Sequence, residues 1–340
     1  MRQERVYSNR QHWRWLGLII AAFVVWGTAC CCVTWKTVFP AETRAPETFP
    51  GAEIVFIASG GKVGFINADG NNPTYLDLVV KGYGDPNMVW PWRPVITGDN
   101  RTLIVKMVEY TEFVSSASML AIWHTDTLPT ICDNWLYQQA PLLTADQQHI
   151  FIQVEQGIAS YALDSCGTEE EPVEVFEGIF GTPSPDFEHV AYVSKTDDLY
   201  HNRVIFIQNI GNGNKHIVGE GNFPIWSRDS EWLAYVGSDG IYVYRISDMQ
   251  SRRVVIYPHP EDGAFPLYLG GVAPIPPEIS WSPDGKWLVY HKWAGTKLTT
   301  VVNPSDYAIY KLNIETGEEI KIIDGGMYPY WRWPAEQPGE

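Results

Sequence analysis

The stretch ISWSPDGKWLVY, residues 279–290, is one copy of a unit that recurs along the chain. In it an apolar run enters a Ser-Pro-Asp-Gly turn and a second apolar run leaves, the pattern of a tight hairpin. Anchored on Trp281 and Asp284, the same spacing appears at Trp226–Asp229 and Pro183–Asp186, and more loosely at Leu143–Asp146 and Ile96–Asp99. Four residues past each Asp stands an aliphatic: Leu103, Ile150, Val190, Leu233 and Leu288. A proline precedes the anchor by two places at Pro94, Pro141 and Pro224, and is expected to start the first strand, where its missing N–H is tolerated at an edge. A repeat of this length constrains the fold more than any local propensity, because each unit must bury its apolar face on the next.

Each hairpin is followed by a third apolar run (GIYVYRISD, YAIYKLNIETGE, RVIFIQNIGNG) and a weaker fourth (RRVVIY, EIKIID, KHIVGE). A unit is therefore four strands in roughly 40–55 residues, the size of a propeller blade. Residues 53–79 supply strands two to four with no first strand before them, and Met327–Trp333 supplies a first strand, with Trp331 at the anchor and Pro329 two before it. The two ends complete one blade, which closes a ring of six and leaves no open sheet edge. The turn Asp has a structural task in every copy, bonding nearby backbone N–H groups. Its recurrence is no sign of catalysis.

These WSPDG copies resemble the WD40-like repeats of TolB-type six-bladed β-propellers, over about residues 52–333. The resemblance implies an all-β ring. It implies little about activity, because one propeller architecture hosts many. TolB proteins carry an additional α/β domain before the propeller; here a membrane segment and a spacer precede it, so their envelope partnership is not carried over. Peptidases that join a propeller to a hydrolase domain are a sister resemblance. No G-x-S-x-G, H-E-x-x-H, P-loop or G-x-G-x-x-G occurs in this chain, and no cofactor is expected.

Residues 15–35, WLGLIIAAFVVWGTACCCVTW, carry no charge and match the ~20 residues a helix needs to cross a bilayer. Arginines precede the segment and Trp13, Trp15 and Trp35 flank it. The expected topology is a cytoplasmic tail at 1–14, a transmembrane signal-anchor at 15–35 and an extracytoplasmic body at the cell membrane. Two alternatives stay open: cleavage after Ala29 as a secreted protein, or lipidation at Cys30. Residues 36–51, with three prolines, read as a spacer, and 334–340 as a flexible tail. In an exported body, Cys132 and Cys166 can form one disulfide.

The net charge of −16 repels phosphate backbones and excludes nucleic acid as an expected partner. Histidines and acids form no short metal-ligand spacing. Asp197, Asp198 and His201, and the run His259–Asp262, read as solvated loops, and no metal is expected. Propellers bind at the mouth of the central channel. The residues three and four before each anchor belong there: Trp92 and Arg93, Gln139, Asn222 and Phe223, Glu278, and Tyr328, with Trp90 and Tyr330 close by. Such a rim holds a protein, peptide or glycan of the cell envelope, or it plugs the channel. Two readings stand beside the binding module. One is a lyase or hydrolase acting on envelope polysaccharide through rim carboxylates, Glu278 among them. The other is a sensor or scaffold subunit of a membrane complex. The insertions at 257–278 and 292–306 are long enough to be functional.

Overall fold

Every WSPDG-type hairpin forms the inner half of a four-stranded antiparallel sheet. In the computed structural model the described residues are 45–78, 89–111, 114–132, 142–144, 146–154, 157–166, 168, 174–176, 179–193, 203–257, 278–295 and 303–334. They fall within one unit, Ala41–Glu340. Residues 15–35 with Cys30, the loop 258–277, residues 296–302, Gln139, and the Asp197 and His259 clusters lie outside the described residues. Among the described residues no helix is long and apolar enough to cross a membrane.

The strands group into six blades. Blade 1 has β1 (Ile54–Ala58), β2 (Lys62–Ile66) and β3 (Thr74–Leu76). Blade 2 has β4 (Val89–Ile96), β5 (Thr102–Thr111), β6 (Val114–His124) and β7 (Thr130–Cys132). Blade 3 has β8 (Leu142–Leu143), β9 (His149–Val154), β10 (Gly157–Ala162) and β11 (Glu174–Phe176). Blade 4 has β12 (Ile179–Pro183), β13 (His189–Val193), β14 (Val204–Asn209) and β15 (Lys215–Glu220). Blade 5 has β16 (Asn222–Trp226), β17 (Trp232–Val236), β18 (Gly240–Arg245) and β19 (Gln250–Ile256). Blade 6 has β20 (Ile279–Trp281), β21 (Trp287–Trp293), β22 (Tyr307–Asn313) and β23 (Glu319–Asp324). The last strand, β24 (Gly326–Trp331), pairs antiparallel with β1 and gives blade 1 its inner strand, Trp331 lying opposite Ile54. The ring is an all-β six-bladed propeller closed by its own C-terminus.

The core lies between blades. Ala234, Ile241 and Val243 of blade 5 pack on Trp281, Leu288 and Tyr290 of blade 6, and Val95, Ile104 and Ile122 of blade 2 pack on Ile150 and Ile152 of blade 3. Anchor tryptophans add direction. Trp226 Nε1 donates to Thr182 O (2.9 Å) and Trp281 Nε1 to Ile225 O (3.0 Å), each reaching the inner strand of the preceding blade. Trp333 Nε1 continues the series onto Trp281 O (2.9 Å).

The turn Asp has the task its recurrence predicts. Asp284 Oδ1 accepts from Ser282 Oγ (2.5 Å) and from Lys286 N (3.1 Å), while Ser282 Oγ accepts from Trp287 N (2.9 Å). Thr97 with Asp99, Thr144 with Asp146, Ser184 with Asp186 and Ser227 with Asp229 repeat this arrangement. The residue after each Asp is left-handed: Asn100, Gln147, Phe187, Ser230 and Gly285, with φ from 57° to 68°. Four of them reach back to the previous blade: Gln147 to Gly98 N, Ser230 Oγ to Asp186 N, Asn100 to Arg332 and Phe187 to the Phe151 ring.

Two features differ from the sequence-based expectation. Among the described residues the motif prolines do not start the inner strands. Pro94, Pro224 and Pro329 sit inside them, each behind a left-handed residue at a register shift. These strands are the inner edges of their sheets, and a bulge there spares the missing N–H. The stretch read as a spacer is in part docked. Ala45 N donates to Thr127 O (2.7 Å), Asp126 N to Pro46 O (3.0 Å), and Phe49 is buried against Phe65.

Candidate functional site

The inner-strand bulge positions the candidate site. A bulge turns one residue out of the ladder and re-aims its side chain. At the place three before the anchor, Arg93, Phe223 and Tyr328 take φ of 53°, 55° and 51°, a region costly for a residue with a Cβ. The same place in blade 6 is Glu278. Inner strands of neighbouring blades touch one another, so this column of residues faces the axis.

There the four side chains meet. Arg93 Nε forms an ion pair with Glu278 Oε1. The guanidinium lies 5.8 Å from the Phe223 ring centroid, in the blade opposite its own, and 5.9 Å from that of Tyr328. Arg93 is 8% exposed and Tyr328 3%. Both are enclosed at the axis.

Two further residues join them that the sequence reading passed over. Lys106 and His291 both stand seven places after their turn Asp, on β5 and β21. His291 faces the backbone N–H groups of Glu278 (3.4 Å) and Tyr328 (3.3 Å) with Nδ1, and its ring packs edge-on to Tyr307 and Tyr328. Lys106 is 6% exposed. Burial, with the Arg93 charge beside it and Glu278 opposing, lowers its ammonium from 10.5 to about 7. Burial also raises the Glu278 carboxyl, against the pull of Arg93 and Lys106.

The other expected site residues lie elsewhere or outside view. Asn222 Oδ1 accepts from Arg203 Nη1 (2.9 Å) at the edge of blade 5. Tyr330 does not join Tyr328. It lines a small pocket at the turn end of the channel, with Leu143, Ser184, Trp226, Ser280 and Trp333. Trp90 and Trp92 belong to β4.

Cys132, at the end of β7, and Cys166, after β10, are joined by a disulfide with a Cα–Cα distance of 5.1 Å. The bridge ties blade 2 to blade 3. Among the described residues no group of three His, Cys, Asp or Glu side chains is placed to hold a metal ion. Hydrolysis of a glycosidic bond by paired carboxyls needs two of them about 5–10 Å apart. Among the described residues the charged neighbours of Glu278 are cations.

The fold has known counterparts. TolB from Acinetobacter baumannii superposes with a TM-score of 0.56 at 14% identity, over 82% of this chain and 66% of that one. A TolB structure from Agrobacterium tumefaciens gives a TM-score of 0.49 at 16% identity, covering 81% of this chain and 94% of that one. No family model and no curated protein matches the chain. At 14% identity the likeness to the Acinetobacter structure shows the fold alone, a TolB-like propeller. This chain spans 66% of the length of the Acinetobacter protein.

Proposed function

We propose that this chain is a membrane-tethered, extracytoplasmic binding module whose channel mouth takes a segment of an envelope protein, peptide or glycan. The supporting observation is the Arg93 cluster. Three residues at one place of the repeat accept a left-handed backbone, and one of them carries a guanidinium into the channel. A propeller that needed only a plug would fill this place with aliphatics at lower cost. Tethering rests on the uncharged segment 15–35 behind its arginines.

The test is retention. The full chain, immobilised, is exposed to envelope extract from its own source, beside an Arg93→Met/Glu278→Met variant. That variant keeps side-chain bulk and removes both charges together. A component held in near-equal amount by the wild type and lost by the variant is the expected result. Retention of nothing, or equal retention by both, overturns the reading.

A further inference from the structure

We propose that the outer strand of blade 4, β15, is a pairing edge for a second copy of this chain. The edge lies on the rim of the ring, apart from the channel, and stands or falls independently of the binding reading.

The sheet of blade 4 runs β12-β13-β14-β15, and no described strand pairs beyond β15. The register on β14 decides which side chains share a face. Lys215, Ile217 and Glu220 lie opposite Gln208, Phe206 and Val204, and Val218 is the extra residue of a bulge. The bulge shifts the alternation by one place, so Lys215, Ile217 and Glu220 project from the same face. All three are exposed, Ile217 to 64%. Asn209 N donates to Asn214 O (2.8 Å) and Gly221 N to Arg203 O (2.9 Å), which fixes the phase of the ladder. Lys215 and Glu220, one place in from those bonds, and Ile217 between them turn their backbone groups to the open side.

A second copy fits this edge about a two-fold axis normal to the sheet. The antiparallel pair places Ile217 opposite the partner's Ile217, Lys215 opposite the partner's Glu220 and Glu220 opposite the partner's Lys215. Every opposed pair then shares a face, and its backbone groups point at each other. A slip of one place would break both conditions. Two opposite-charge pairs flank one apolar contact. Among the described residues Lys215 has no carboxylate partner and Glu220 no cationic one, and the Lys215 ammonium lies 5.8 Å from the Phe206 ring centroid.

Edge strands are ordinarily defended by charge and by bulges. Blades 5 and 6 show that defence at the equivalent place. Their outer strands carry the same bulge, and the residue before it is Arg253 in β19 and Lys321 in β23. The same two-fold register would set Arg253 against the partner's Arg253. In β23 it would set Lys321 against the partner's Lys321 and Glu319 against the partner's Asp324, like charge on like. β15 has isoleucine at that centre and opposite charges on either side. The outer strands β3, β7 and β11 have three residues each, too few for this register.

The experiment uses the full 340-residue chain in detergent, followed by sedimentation equilibrium from about 1 μM to about 300 μM, the range suited to an interface below the standard size. The expected result is a monomer–dimer equilibrium that weakens at high salt. Lys215→Glu and Glu220→Lys each oppose like charges at both ends and are expected to weaken association about tenfold or more. Both side chains are exposed, so neither change threatens the fold. A mixture of the two single variants restores opposite charges at both ends and is expected to recover association, as is the Lys215→Glu/Glu220→Lys double variant with itself. Ile217→Lys, which gives β15 the centre that β23 has, is expected to abolish pairing. Association through residues 15–35 would not respond to these changes. A monomer throughout, association unchanged in any of the three single variants, or a mixture that associates no better than its components overturns the pairing.

Discussion

Arg93 and Glu278 hold the same place in the repeat, three residues before the anchor, and pair with each other from blades 2 and 6. Blade 1 lies between them, so the pair braces the two blades on either side of the ring closure. Removing one partner leaves a buried charge uncompensated, and Arg93→Ala is expected to cost about 3–5 kcal/mol. Arg93→Met/Glu278→Met leaves no charge and is expected to cost much less than the two single changes summed. Chemical denaturation of the four proteins in that cycle measures the coupling. Additive single effects would show that the pair carries no coupling.

Lys106 sets a pH dependence with a definite sign. Its ammonium sits at about 7 in the fold and 10.5 in the free side chain. Between those values the unfolded chain binds more protons than the native one, so stability rises with pH. The slope reaches about 1.4 kcal/mol per pH unit within that window and vanishes below it. Below the window the penalty is present in full. Lys106→Met is expected to be the more stable protein there, and its advantage shrinks as pH rises. Denaturant midpoints for both proteins from neutral to alkaline pH decide this. A difference that is flat with pH contradicts it.

The ring was legible because the hairpin unit repeats at fixed spacing and because residues 53–79 and 327–333 are complementary fragments of one blade. The channel was legible only as a column. Aligned on the anchor, the place three before reads Arg93, Ala140, Phe180, Phe223, Glu278 and Tyr328. Opposite charges in one column of a closed ring must approach each other at the axis, and that signal was available. Lys106 and His291 were missed because they lie on the second strand, where the eye follows the aliphatics. Their column reads Ile57, Lys106, Gln153, Val193, Val236 and His291, and two ionisable groups in an inner column mark it. The bulge was not legible. A proline two before the anchor fits a strand start as well as a bulge, and only the left-handed φ of its predecessor separates them.

The disulfide is expected to matter to the whole ring. It joins positions 34 residues apart and fastens blade 2 to blade 3. Loop-closure entropy for that span amounts to about 3–4 kcal/mol. Cys132→Ser/Cys166→Ser should unfold at lower denaturant than the oxidised wild type by that amount. Reductant should bring the wild type to the variant's midpoint and leave the variant unmoved. Coincident midpoints without reductant would show that the bridge adds no stability.

The hairpin between β18 and β19 contains a residue that the other blades argue against. Met249 takes φ 54°, and its N–H donates to Arg245 O (2.9 Å). The matching turn of blade 4 places Gly213 there, with its N–H on Asn209 O, and that of blade 6 places Gly317, with its N–H on Asn313 O. Met249 carries a Cβ in a left-handed backbone, a strain of about 1–2 kcal/mol that glycine avoids. Its side chain is 67% exposed, so truncation leaves no cavity. Met249→Gly is therefore expected to stabilise the propeller by about 0.5–1 kcal/mol, net of the entropy glycine adds to the unfolded chain. Met249→Ala separates backbone from side chain: it keeps the Cβ and should gain nothing. Equal stability of the glycine and alanine variants, read from their denaturant midpoints, would show that the turn carries no such strain.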